Sequence, residues 1–184
     1  MAVNSDLIFA AGLGFTILKS TDSGISWSVN YSGQNFYNFY SIDFINANTG
    51  YVCGAYEQNT PPYTVTPKIF KTTNSGGNWV ELNASPMYEV CRKIICVNDS
   101  VLFCSTTFTL YKSTNSGVSW FAAQLPNYSS LQFTNSGIGF GNELLDIKRS
   151  SDQGVTWQTV SQLSTGNNIL KMRFISDDVG YILG

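Results

Sequence analysis

The stretch STDSGISW, Ser20–Trp27, returns as TTNSGGNW at Thr72–Trp79, STNSGVSW at Ser113–Trp120 and SSDQGVTW at Ser150–Trp157. Each copy runs from a hydroxyl residue to Asp or Asn two places on, to Gly two further, and to Trp three beyond that. All four tryptophans of the chain stand at this last position. A scarce residue confined to one site of a recurring motif marks a repeat protein. Turn chemistry accounts for the shared residues. Side-chain oxygens of Asp22, Asn74, Asn115 and Asp152 can accept backbone amides a few residues on, which Asp and Asn do equally, and Gly24, Gly76, Gly117 and Gly154 supply the positive φ of the bend. Trp27, Trp79, Trp120 and Trp157 open the outgoing strand, where a large ring buries against a sheet.

Working outward, each box is preceded by a β-rich run, at 15–19, 68–71, 110–112 and 145–149, and followed by another, at 26–29, 78–82, 119–123 and 156–160. Each pair predicts a hairpin. A second hairpin lies upstream of the later boxes, clearest at Ser41–Gly54 and Lys171–Gly184. Phe44 and Phe174 stand six residues before the Gly of the next strand, and Ile95 before Val101 and Phe133 before Gly139 take the same register. Two hairpins make a four-strand unit, and box spacings of 52, 41 and 37 residues fit the roughly 40–50 residues of a propeller blade. The expected fold is therefore an all-β propeller of four-stranded antiparallel blades carrying four box hairpins in one domain, 1–184. It has a partial blade at 7–30, blades at about 40–83, 91–124 and 130–161, and a partial blade at 170–184. The stretch Glu57–Pro67, with Pro61, Pro62 and Pro67, reads as an inserted loop.

The second strand of a blade occurs both at Leu7–Gly12 and at Gly180–Gly184, so more than four blades and fewer than five are present. Two readings stay open: a fragment of a larger propeller, able to self-associate through open blade edges, or closure of four blades with Lys171–Ile175 as the missing inner strand.

Composition narrows function. Hydrophobic residues make up 43% of the chain and charged ones 12%, the net charge is −2, and His is absent. There is no basic footprint for nucleic acid, no apolar run of about 20 residues to cross a membrane, and no imidazole for catalysis or metal. Cys53, Cys91, Cys96 and Cys104 are not spaced as a zinc site; they read as buried thiols, with one disulfide as the alternative. No cofactor or metal is expected, since the box lacks the further acidic ligands of a calcium loop.

The pattern Ser/Thr-x-Asp-x-Gly-x-Ser/Thr-Trp resembles the Asp-box, or bacterial neuraminidase repeat, of sialidases, sortilin-type receptors and some glucanases. Joined to the Phe-x5-Gly-Tyr-x-x-Gly hairpin, it is most similar to the photosystem II stability and assembly factor-like propellers, which also occur as modules of secreted bacterial surface proteins. Asn74, Asn115 and the Gly77-Asn78 pair depart from the consensus. The resemblance implies that the boxes are structural turns, and that a partner is met on the opposite loop face. It also implies a secreted, cell-surface or periplasmic setting, although no signal peptide is visible.

On that face the sequence places Tyr31, Phe36, Tyr37, Tyr63, Tyr88 and Tyr128, aromatics mixed with Asn and Ser in a composition suited to recognition of a protein or glycan; packing between blades is the competing reading. The polar face of the inner strands offers Asp43, Arg92, Lys171 and Arg173 as a second candidate, toward a central channel. Lys19, Lys71, Lys112 and Arg149, one before each box, read as solvent-facing. Sialidase chemistry is disfavoured, since the chain has three arginines and Arg149 sits beside a box. For glycosidase chemistry the best remaining carboxylates are Asp43 with Glu57, Glu89 or Glu143. The expectation is a non-catalytic binding or scaffolding module, with a carbohydrate-active enzyme or a structural spacer as alternatives.

Overall fold

The structure, a computed structural model, describes residues 1–33, 37–57, 61, 64–123, 130–163 and 169–183. Among these the regular elements are strands, each antiparallel to its neighbours, in five sheets. The first holds β1 (Ile8–Gly12), β2 (Thr16–Ser20) and β3 (Ser28–Tyr31). The second holds β4 (Tyr37–Phe44), β5 (Gly50–Glu57), β6 (Val65–Thr72) and β7 (Val80–Leu82), and the third β8 (Lys93–Cys96), β9 (Leu102–Ser105), β10 (Leu110–Ser113) and β11 (Phe121–Ala122). The fourth holds β12 (Leu131–Phe133), β13 (Gly139–Glu143), β14 (Asp146–Ser150) and β15 (Gln158–Gln162), and the fifth β16 (Lys171–Phe174) and β17 (Gly180–Leu183). The chain forms two compact units, Met1–Ala123 and Gln124–Gly184. Among the described residues no helix is long and apolar enough to cross a membrane.

Each four-stranded sheet is a meander of two hairpins, and the inner hairpin has its own recurring turn. Asn46 accepts the amides of Asn48 and Thr49 on its side-chain oxygen, Asn98 those of Ser100 and Val101, and Ser176 those of Asp178 and Val179. Asn4 does the same for Asp6 and Leu7. Met1–Val3 thereby lies back along β1, with Ala2 bridged to Ile8 and the Phe9 amide bonded to the Met1 carbonyl. The first sheet thus carries a short stretch in the place of an inner strand, which the sequence reading began only at Leu7.

The spacing of Phe and Gly follows from contact across this hairpin. Phe44 stands opposite Gly50, Phe133 opposite Gly139 and Phe174 opposite Gly180. A Cβ on Gly50, Gly139 or Gly180 would come within 2.5, 2.6 or 2.5 Å of the facing ring. In the third sheet the pair is Cys96 with Leu102, one residue later than the Ile95 and Val101 expected. Small and large residues have exchanged strands there, so the Phe signal is lost while Asn98 keeps the turn.

Cores form where neighbouring sheets face each other. Phe9, Phe15 and Ile17 of the first sheet side pack with Phe39, Phe44, Val52, Phe70 and Trp79 of the second. Phe9 stacks on Phe44 at 4.6 Å between ring centroids, and Trp79 meets both edge-on at 6.4 and 6.1 Å. Tyr51, Cys53 and Ile69 pack with Cys91, Ile94, Leu102, Cys104 and Trp120 between the second and third sheets. In the second unit Ile147, Ile169 and Met172 form a smaller cluster, and Phe140 stacks on Phe174. Burying each such side chain contributes roughly 1.5–3 kcal/mol. Trp27 departs from the expectation of a buried ring. It is 44% exposed, because no other sheet of the first unit flanks it as the first sheet flanks Trp79, and its indole N–H instead folds back to the Gly24 carbonyl.

Two further expectations change. The stretch Glu57–Pro67 is not all loop: Glu57 pairs with Val65 and Ala55 with Pro67, so the insertion partly lengthens β5 and β6. Pro67 is tolerated because β7 pairs with β6 only over Ile69–Lys71, leaving an edge beside the proline. Cys91 and Cys104 form a disulfide, while Cys53 is a buried thiol and Cys96 a half-buried one. The sulfurs of Cys53, Cys91 and Cys104 lie within 4.8 Å of one another.

Candidate functional site

The four boxes fold alike, and their shared Ser or Thr hydroxyl and Asp or Asn side chain bond within the turn. Ser20 Oγ donates to Asp22 and accepts the Gly24 amide at 2.8 Å. Thr72, Ser113 and Ser150 accept the amides of Gly76, Gly117 and Gly154 at 2.9, 2.9 and 2.8 Å. The Asp or Asn then accepts the amide four residues on, from Ser26, Asn78, Ser119 or Thr156. Asp22 and Asp152 also accept the hydroxyls of Ser26 and Thr156, whereas Asn115 donates its amide to Ser119 Oγ. Two successive residues take positive φ, not the glycine alone: Ser23, Ser75, Ser116 and Gln153 precede the glycines at 62, 55, 60 and 58°. The Ser26 bonds, side chain first and then amide, hold the Asp22 carboxyl down at about 2, and those of Thr156 hold Asp152 lower still. These carboxylates are structural acceptors.

Neighbouring sheets are tied by further polar groups. Asp43, expected in a channel, donates no free charge: its carboxylate accepts the Cys96 amide of β8 at 2.9 Å and the Phe44 amide at 3.0 Å. Burial raises its pKa against the pull of those amides. In the second unit Gln132 plays the same part, donating to the Phe174 carbonyl at 2.6 Å and accepting the Phe174 amide at 3.0 Å, and Ser130 accepts the Met172 amide. Asn30 accepts the Trp79 indole N–H and donates to the Gly76 carbonyl, both at 2.9 Å. Leu82 holds the corresponding place before the third box, and the Trp120 indole N–H has no partner among the described residues. Lys19, Lys71, Lys112 and Arg149 are not solvent-facing. Each cation lies over the ring directly across its hairpin, on Phe9, Tyr51, Phe103 or Phe140, at 5.6, 5.3, 5.2 and 6.0 Å.

The ends of the sheets remote from the boxes are arranged differently. A bulge between Phe39 and Ser41 leaves Tyr40 unpaired in β4, and Gly54 opposite permits it, since a Cβ there would lie 1.8 Å from the Asn38 carbonyl oxygen. Tyr40 donates its hydroxyl to Glu57, and Arg92 lies over its ring at 4.9 Å. Burial and Glu57 together push the phenol pKa up. Glu89 accepts the Thr106 hydroxyl at 2.9 Å, the Phe108 amide at 2.7 Å and the Thr109 hydroxyl at 3.2 Å, which fixes the β9–β10 turn. Tyr88 beside it is 81% exposed and Phe108 80%. Tyr88 also borders a groove of about 240 Å³ floored by Pro67, Leu82 and Met87.

Of the other aromatics expected on this face, Tyr31 and Tyr37 are half-buried. Tyr31 packs on Phe39 and Phe70, and Tyr37 on Phe15 and Tyr56. Phe36, Tyr63 and Tyr128 lie outside the described residues. Arg92 and Asp43 belong to the first unit, Lys171 and Arg173 to the second, where both are exposed. Of the carboxylates considered for glycosidase chemistry, Asp43 and Glu57 stand apart. Asp43 pairs with Tyr51, and Glu57 lies six residues further along β5, roughly 20 Å by strand rise; facing carboxyls need about 5–10 Å. Glu89 is held by its turn, and Glu143 pairs with Lys148 at 3.4 Å in the second unit. Phe108 escaped the sequence reading of this face. The glycine in β5 was the available signal for the bulge that turns Tyr40.

Antiparallel four-stranded sheets in series, with a tight box between the third and fourth strands, define a β-propeller fold. Among solved structures the chain resembles YCF48 bound to D1 peptide, at 17% identity and a TM-score of 0.65 over 94% of this chain and 55% of that one. It also resembles YCF48 from Cyanidioschyzon merolae, at 17% identity and 0.64 over 94% and 57%. An ancestral GH74 enzyme matches at 18% identity and 0.55, over 86% of this chain but 24% of the enzyme. The chain thus spans about half the length of the YCF48 structures. The likeness to photosystem II assembly factor-like propellers read from the motifs holds at the level of fold. No protein-family profile matches the sequence, and no curated protein does.

Proposed function

We propose that the chain is a non-catalytic, protein-binding propeller module that holds an extended, acidic peptide segment on the loop face of its first unit. The observation that carries this reading is Arg92. It is exposed, oriented by the Tyr40 ring, and paired with no carboxylate among the described residues. An oriented guanidinium is a ready partner for a carboxylate. That YCF48 has been solved with a D1 peptide supports a protein partner for a propeller of this kind. The box carboxylates bonded within their turns and the separation of Asp43 from Glu57 support a role without catalysis. We place its work outside the cytoplasm, a setting the Cys91–Cys104 disulfide suits.

The test is panning of a random dodecapeptide library on the immobilised full chain, followed by titration of the enriched synthetic peptides. Acidic peptides should emerge and lose at least tenfold in affinity to Arg92→Ala, with melting unchanged. Binding on a glycan array without peptide enrichment, or turnover of chromogenic glycosides, would overturn the reading.

A further inference from the structure

Tyr88 and Phe108 are the most exposed aromatic side chains among the described residues, at 81% and 80%. Other aromatics of this end of the first unit are packed on neighbours: Tyr37 on Phe15 and Tyr56, Phe39 on Phe15, Tyr40 beneath Arg92. The two exposed rings are far apart in sequence yet share one anchor. Glu89, next to Tyr88, accepts the Phe108 amide at 2.7 Å, and its other bonds go to the hydroxyls of Thr106 and Thr109. Met87 and Val90, on either side, are buried in the core. The backbone under both rings is therefore fixed from below while the rings face solvent. Large apolar groups held in this way cost little entropy on being covered, the condition that makes aromatic residues binding hot spots. Glu89 is occupied by its three bonds, and Arg92, whose amide donates to the Ser105 carbonyl beside the same turn, makes no ion pair among the described residues.

We propose that Tyr88 and Phe108 form an apolar anchor site for a peptide partner, taking an aromatic or large aliphatic side chain of a segment whose carboxylate meets Arg92. The proposal rests on the protein-binding reading and adds to it the side chain that the partner must carry. A polar pocket would hold a sugar by several hydroxyl contacts; two bare rings beside a cation match an apolar residue next to an acidic one.

The enriched dodecapeptides supply the probe. They should share a Phe, Tyr, Trp, Leu, Ile or Met near an Asp, Glu or C-terminal carboxylate. Affinity for the synthetic peptides should fall at least tenfold with Tyr88→Ser and with Phe108→Ser. Both side chains are exposed, and Ser keeps the Phe108 amide bond to Glu89, so melting should not move. Replacing only the apolar residue of the peptide by Ser should produce the same loss. Peptides that bind through Arg92 but are indifferent to Tyr88→Ser and Phe108→Ser overturn the anchor site and leave the protein-binding reading standing. Peptides that respond only to Tyr181→Ser, on the exposed strand β17, overturn it as well. Enrichment of no peptide overturns both.

Discussion

Asp22 and Asp152 show what a single residue does in this fold. Their carboxyls, bonded to the residue four places on, sit below the ordinary carboxylate range, Asp22 at about 2. Because the folded pKa lies below the unfolded value of about 3.9, the charged form stabilises the fold above that value, and the contribution is lost as pH falls toward the folded pKa. Melting temperature should therefore drop between about pH 4 and pH 2 in the native chain, and less steeply in Asp22→Asn with Asp152→Asn, whose boxes become like those of Asn74 and Asn115. Asn30 makes a second case. Its replacement by Leu would leave the Trp79 indole N–H without its acceptor and the Gly76 carbonyl without its donor. A cost of about 1–3 kcal/mol in chemical denaturation is expected. The shared hydroxyl, Asp or Asn, and Gly of each box were legible in the sequence because the bonds that link them close within a few residues. Asn30 was not, since its partners lie 46 and 49 positions away.

At the scale of the element, a strand's sequence records its neighbour's shape. Phe44 with Gly50 and Phe174 with Gly180 betrayed the inner hairpin because a ring covers each glycine. Cys96 with Leu102 fills the same place with sizes exchanged, so the pattern of apolar residues alone slipped by one. The Asn turn at Asn4, Asn46 and Asn98 would have corrected it, since it marks the end of the inner strand regardless of packing. Gly54 carries a further consequence. An added methyl group would collide with the Asn38 carbonyl, so Gly54→Ala should force out the bulge. Such overpacking costs typically about 1–3 kcal/mol, and the Tyr40 hydroxyl should lose Glu57. Denaturation together with the absorbance titration of the tyrosines would show both effects. Stability equal to the native chain would contradict the assignment of the bulge to Gly54.

For the molecule as a whole, the division of labour runs along the sheets. Their box ends are tight turns held by the shared Ser or Thr and Asp or Asn side chains, and the opposite end of the first unit presents Arg92, Tyr88 and Phe108. The propeller fold could be read from the repeats, whereas the surface could be read only in part, Tyr88 and Arg92 but not Phe108, because aromatic residues of one composition divide between packing and exposure only in three dimensions. Tyr31 and Tyr37 went inward against Phe15, Phe39 and Phe70; Tyr88 and Phe108 did not. The strand β17 is a reminder that exposure also depends on neighbours. Its Tyr181 and Leu183 are 65% and 62% exposed, while Tyr51 and Cys53 at the matching places of β5 are fully buried. The most direct test of the account is amide and side-chain NMR of the full chain titrated with an enriched peptide. Shifts are expected at Tyr40, Tyr88, Arg92 and Phe108, with stationary amides at Gly24, Gly76, Gly117 and Gly154. Shifts centred on those four glycines, with the loop-face residues unmoved, would contradict it.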